Sequence, residues 1–94
     1  MVVLWEEAAT TDLQSIFDFI VTDSPKNALL VDIRICDQTD ELTRFPMRGR
    51  VGRVAGMREL VILNTPYVVA YRVDEGEVRI LRVLHGAQRW PENL

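Results

Sequence analysis

The chain reads as an α+β domain ordered β-α-α-β-β-β, with two N-terminal helices packed on one face of a small, mainly antiparallel sheet. Three observations predict this class. Leu13, Ile16, Phe17 and Ile20 repeat at i, i+3, i+4 and i+7, the stripe of an amphipathic helix. Ser24-Pro25 is a helix start signal, a side-chain cap followed by a residue preorganised for the first turn, and it divides the helical stretch in two. Residues 58–63, 67–73 and 78–85 are apolar, β-branched runs joined by connections of three and four residues, the spacing of an antiparallel meander. A length of 94 residues suffices for one modest core, so 1–94 reads as a single domain.

Taken in order, VVLW at 2–5 is a short β-branched run and forms the first strand. The first helix covers about 6–21; Asp12 and Asp18 lie off its apolar stripe and are expected to face water. The second helix covers 25–44, with Ala28, Val31, Ile35, Leu42 and Phe45 inward, and Pro46 stops it. Asp40-Glu41 oppose its dipole near the C-terminal end, a small cost that Arg44 relieves. Residues 47–56 carry Gly49, Gly52 and Gly56 and are expected to form an irregular loop. In the middle strand of the meander, Tyr67, Val69, Tyr71 and Val73 oppose Val68, Ala70 and Arg72, and the face bearing Arg72 is expected to be the wetter. The last strand is mixed on both sides, so alternation does not choose its buried face.

Charge is unevenly divided along the chain. Residues 1–43 hold nine acids against Lys26 and Arg34, whereas 44–94 hold nine arginines against five acids, within a net charge of −3. Five of those arginines (44, 48, 50, 53 and 58) fall in one stretch that contains no acid. Such a run repels itself, so it either meets an anionic partner or is neutralised by the acidic half across the fold. An apolar content of 48% with 27% charged residues argues for a packed globule and against disorder. No apolar run approaches 18 residues, and MVVLWEEAA lacks the basic start of a secretion signal, so no membrane role and a cytoplasmic site are expected. A lone cysteine, Cys36, fits a reducing compartment.

The residues offer little conventional chemistry. One histidine, one cysteine and scattered carboxylates supply no metal-ligand cluster, and no cofactor is expected. Cys36 sits mid-helix among apolar neighbours and reads as a buried thiol. GRVGRVAG has glycines enough for a phosphate cradle, but a helix rather than a strand precedes it. His85, at the end of a strand before Gly86, is the one side chain suited to proton transfer near neutral pH. The arginines have the bidentate geometry that clamps a phosphodiester. Trp90-Pro91 reads as a tail that packs on the domain or on another chain.

These residues together resemble the RelE/ParE superfamily of bacterial toxins from type II toxin–antitoxin modules, often called plasmid-stabilisation proteins. The resemblance spans nearly the whole chain. It rests on Trp5, Ala9, Asp12-Leu13, Ile16 and Phe19-Ile20, on Ser24-Pro25 with Ala28, and on Leu42 with Phe45-Pro46. The most specific parts are GRVGRVAGMREL from Gly49, PYVVAYRV from Pro66 and ILRVLHGAQRWP from Ile80. The resemblance implies a growth-arresting toxin silenced by a cognate antitoxin in a hetero-oligomer. It also implies one of two targets, DNA gyrase for ParE-like members or ribosome-bound messenger RNA for RelE-like nucleases. The lysines that such nucleases place before their central strands are absent here, and Trp90 stands where several carry a terminal tyrosine. A net charge of −3 suits ribosomal RNA poorly. The ParE-like reading is therefore preferred. Candidate contacts to target or antitoxin are Arg48, Arg50, Arg53, Arg58, Tyr71, Arg82, His85 and Trp90. In the nuclease alternative, Arg58 or Arg82 would stabilise the scissile phosphate and His85 would move a proton.

Overall fold

A computed structural model describes residues 1–92 and 94. Strand β1 (Val2–Trp5) leads into helix α1 (Glu7–Val21) and helix α2 (Pro25–Asp40), followed by a 3-10 turn, Glu41–Thr43. Strands β2 (Arg50–Val51), β3 (Arg58–Val61), β4 (Tyr67–Asp74) and β5 (Glu77–His85) complete the chain. They form one sheet in the order β1-β5-β4-β3-β2, antiparallel throughout except that β1 runs parallel to β5. The α+β class and the two-helix layer agree with the sequence reading.

The local signals act as anticipated at the helix junction. Ser24 takes an extended backbone, and its Oγ accepts a hydrogen bond from the Asn27 N–H at 3.2 Å while Pro25 occupies the first helical position. Leu13, Ile16 and Ile20 of α1 and Val31 and Ile35 of α2 pack on one face of the sheet, against Leu60, Ile62, Val69, Tyr71, Val78, Ile80 and Val83. Each fully buried aliphatic side chain contributes about 1.5–3 kcal/mol of transfer free energy. Ile35 and Leu42 have no exposed surface at all, and truncating either to alanine removes about 2–5 kcal/mol.

Four expectations need correction. The second helix ends at Asp40, where the chain tightens into the 3-10 turn, so Phe45 lies beyond the helical register and is exposed, not inward. Residues 47–56 are not wholly irregular, because Arg50 and Val51 pair with Glu59 and Arg58 as β2. The N-terminal run takes its place in the sheet at the far edge of the meander, where Val2 to Trp5 lie beside Glu77 to Ile80, and β2 makes the fifth strand. Asp12 does not face water. Strand β1 stops opposite Ile80, leaving the outer edge of β5 open beyond it, and the Asp12 carboxylate fills that edge by accepting from Val83 N–H at 3.0 Å and from Arg82 at 2.6 and 2.9 Å.

The fourth correction concerns the face opposite the helices. Arg72 lies on it, yet Val68, Ala70, Leu81 and Leu84 are buried there. The chain after β5 turns back over this face: Gly86 N–H donates to the Pro66 carbonyl at 2.8 Å, the Trp90 ring lies 3.8 Å beneath the Arg53 guanidinium, and Leu94 lines a cavity with Leu81, Arg72 and Arg82. That stacking accounts for the tail tryptophan, whose indole Nε1 is buried with no partner among the described residues.

Candidate functional site

The arginine-rich loop is built around two buried side chains, one from each neighbouring strand. Tyr71 of β4 is fully buried, and its hydroxyl accepts from the Gly49 N–H at 2.8 Å and donates to the Pro46 carbonyl at 2.7 Å. The loop presses so closely on this ring that a Cβ at Gly49 would stand 2.6 Å from the tyrosine Cε1 and hydroxyl and 2.9 Å from the Glu59 carbonyl. Glycine is required there by space. Tyr71, a candidate for partner contact, is buried in this chain and holds the loop from beneath.

Glu59 of β3 is the second anchor, with a relative exposure of 3%. Its carboxylate accepts from Arg50 at 3.0 Å, from Arg53 N–H at 2.7 Å and from the Arg53 side chain at 3.1 and 3.2 Å. Burial on its own raises a carboxyl pKa, but here the hydrogen bonds from Arg53 and Arg50 outweigh it and hold Glu59 below its usual value. Arg58 donates to the Gly49 carbonyl at 2.7 Å, and Arg48 pairs with Glu41. The outer surfaces of Arg48, Arg50 and Arg53 remain open, with side-chain exposures of 44%, 59% and 42%. The loop is thus an ordered cationic rim, its backbone tied down while its guanidinium edges face solvent.

Acidic and basic halves also meet elsewhere: Arg82 with Asp12, Arg79 with Glu6 at 3.0 Å, and Arg48 with Glu41. The two halves thus attract each other across the fold at these pairs, while the outer surfaces of Arg48, Arg50 and Arg53 stay exposed. The Arg82 guanidinium is held charged by the hydrogen bonds it donates to Asp12, which raise its pKa against the smaller effect of burial.

Neither candidate arginine, Arg58 or Arg82, is brought beside His85. Strand register places Arg58 beside Tyr71 and His85 beside Tyr67, on opposite sides of β4 and four residues apart along it, about 13 Å at the usual rise. Arg82 pairs across from Ala70, on the opposite face of the sheet from His85. His85 accepts from Ala87 N–H through Nδ1 at 3.1 Å, and its ring meets Tyr67 edge-on at 5.6 Å between centroids. No group of three metal-ligating side chains occurs among the described residues.

Beside the rim, a groove of about 730 Å³ runs between the end of α2 and the outer edge of β3, lined by Gln38, Glu41, Arg48, Arg50, Val61 and Leu63 among others. It continues past Arg48 to a shallower hollow at Phe45, Pro46 and Met47, where Arg44 and Arg48 stand over the Phe45 ring at 5.4 and 4.8 Å. Sequence reasoning missed Glu59 and Gln38. Glu59 had a readable signal, as the first acid after five arginines; Gln38 had none.

A family profile described as "ParE toxin of type II toxin-antitoxin system, parDE" matches residues 3–90. The chain belongs to the ParE toxin family. This ParE-family chain is 40% identical over 86 residues to Toxin RelE2 of Caulobacter vibrioides, covering 92% of this chain and 96% of that one. Its fold matches a structure of the chromosomal ParDE system from P. aeruginosa with a TM-score of 0.80 and 31% identity, covering 90% of this chain and 95% of that one. The toxin–antitoxin complex RelBE2 from Mycobacterium tuberculosis matches with a TM-score of 0.63 and 26% identity, over 89% and 95% of the two chains. The ParE-family chain is thus a toxin of the ParE/RelE superfamily of type II systems, and no helix in it is long and apolar enough to cross a membrane.

Proposed function

We propose that this chain is a growth-arresting cytoplasmic toxin that acts by binding DNA gyrase, without a catalytic centre of its own, and that a cognate antitoxin neutralises it. The observation that carries this reading is the separation of His85 from both candidate arginines: it lies four residues along β4 from Arg58 and on the opposite face of the sheet from Arg82. Phosphodiester cleavage needs a cation and a proton-transfer group within about 3 Å of one reacting phosphate, and the separation of His85 from Arg58 and from Arg82 argues against either pair. A binding poison needs instead a rigid surface with exposed charge and apolar anchors. The rim of Arg48, Arg50 and Arg53, flanked by exposed Phe45 and Met47, supplies one. The better structural match to ParDE than to RelBE2 points the same way.

The alternative, a ribosome-dependent messenger RNA endonuclease, draws support from the 40% identity to RelE2. Inducing the gene in bacteria while following plasmid supercoiling and transcript 5′ ends separates the two. Gyrase-linked DNA breaks or loss of supercoiling with intact transcripts support the gyrase reading. Codon-phased cuts that disappear in His85→Ala refute it in favour of the nuclease. Unimpaired growth on induction refutes both.

A further inference from the structure

Trp90, Arg53, Glu59 and Arg50 form a chain of contacts from the tail to the rim. The Trp90 ring lies 3.8 Å from the Arg53 guanidinium carbon and covers one face of that cation. The edge of the same guanidinium is spent on Glu59, Nε donating to Oε2 at 3.1 Å and a terminal N–H to Oε1 at 3.2 Å. Arg50 donates to that same Oε1 at 3.0 Å. Arg53 is thus committed to the fold on its edge and on one face. Arg50, held by this single bond among the described residues, is the most open of the three rim arginines, at 59% against 44% and 42%. Most of its five N–H donors are left for a partner.

Packing alone does not account for an indole at the end of this chain of contacts. Its Nε1 is buried without a hydrogen-bond partner among the described residues, a cost that a phenyl or leucyl side chain would not carry. The indole face, however, attracts a cation more strongly than any other side-chain ring. The tail is also aimed at the spot. Gly86 N–H donates to the Pro66 carbonyl at 2.8 Å, and Gln88 exchanges bonds with the His85 backbone at 2.8 and 3.1 Å, so the chain leaves β5 in a fixed direction.

We propose that Trp90 is a positioning residue for target binding: by clamping Arg53 onto Glu59 it fixes the carboxylate oxygen that orients Arg50, the guanidinium that meets the target. The proposal rests on the reading of the rim as the target-binding surface, and goes further by giving the tail a part in it. Without the ring, Arg53 regains rotamers and water, and the Glu59 carboxylate is free to turn. Arg50 must then be ordered at the moment of binding, which lowers affinity.

The test separates stacking from mere cover. Trp90→Phe keeps a π face and removes the orphan donor; Trp90→Leu keeps apolar cover without a π face; Arg50→Gln removes the outward cation. Each full-length variant is checked by circular dichroism and melting temperature, titrated against gyrase supercoiling, and induced in bacteria at matched toxin levels to read growth arrest. Trp90→Leu should raise the half-inhibitory concentration about 5- to 10-fold, the scale of a partly desolvated cation–π contact, and Trp90→Phe about twofold or less. Arg53→Lys, which keeps the charge but neither the fork nor the planar face, should match Trp90→Leu and replaces it if that chain does not fold. In the Arg50→Gln background Trp90→Leu should add almost nothing, because the group it positions is gone. Equal potency of the Leu and Phe variants, or full potency of Arg53→Lys, overturns the proposal. Losses from Trp90→Leu and Arg50→Gln that add in full also overturn it, and make Trp90 a direct contact. If the native toxin arrests growth but leaves gyrase untouched, the gyrase reading fails, and the growth-arrest measurements on the same variants decide the positioning role by the same comparisons. A native toxin that arrests nothing removes both.

Discussion

Replacing Glu59 with glutamine tests whether the arginine rim is organised from beneath. The change preserves volume but removes the charge that gathers four hydrogen bonds from Arg50 and Arg53. Removing one partner of a fully buried ion pair costs about 3–5 kcal/mol. Here only the carboxylate is buried; the two guanidiniums are about half exposed and regain water, so the cost falls to about 2 kcal/mol. For a domain of this size that lowers the melting temperature by about 8–16 °C at pH 7. The pH dependence has a definite sign. Because the folded carboxyl titrates below its usual value, its contribution is complete above the ordinary glutamate range and is lost as pH falls through the depressed folded value. The gap between the native protein and Glu59→Gln, measured by thermal unfolding from pH 7 downward, should therefore close below about pH 4. A gap under about 2 °C at neutral pH, or one that widens in acid, would falsify the account of Glu59 as the anchor of the rim.

Other perturbations probe the remaining contacts. Tyr71→Phe leaves the Gly49 N–H and Pro46 carbonyl without their partner and should cost about 1–3 kcal/mol in urea unfolding; Gly49→Ala should cost a similar 1–3 kcal/mol by overpacking the same spot. Asp12→Ala should accelerate deuterium exchange at Val83, whose N–H the carboxylate covers, while Asp18→Ala leaves that amide unchanged. Phe45→Ala should lower stability by less than about 1 kcal/mol whereas Leu42→Ala costs about 2–5 kcal/mol, the two separated by calorimetry. Cys36, its thiol pushed up by burial and by Asp32, Asp40 and Asp37, should react with iodoacetamide more slowly than glutathione at pH 7.

What the sequence revealed and what it hid follow a physical division. The α1 stripe, the Ser24-Pro25 cap and the meander were legible because their signals are local, carried by residues at most a few positions apart. The partner of β1 was not, since a four-residue apolar run says nothing about where in the chain its neighbour lies. Strand β2 escaped notice because two residues between glycines carry no alternation; its pairing depends on Glu59, seen only once the loop folds over it. Phe45 looked inward because helical spacing was extended past Asp40, where the backbone tightens. At the site, the arginines, His85 and Trp90 were visible as residue types, but which of them converge was set by strand register. Asp12 and Gln38 do work that only the open edges of β5 and β3 create.

The parallel pairing of β1 with β5 has a consequence for biosynthesis. Val2 to Trp5 find their neighbours only at Glu77 to Ile80, a loop closure across most of the molecule. A nascent polypeptide interrupted before Glu77 leaves its first strand unseated and the core incomplete on that side. Translation that stops before Glu77 is therefore expected to leave a chain without β5, whose core cannot close.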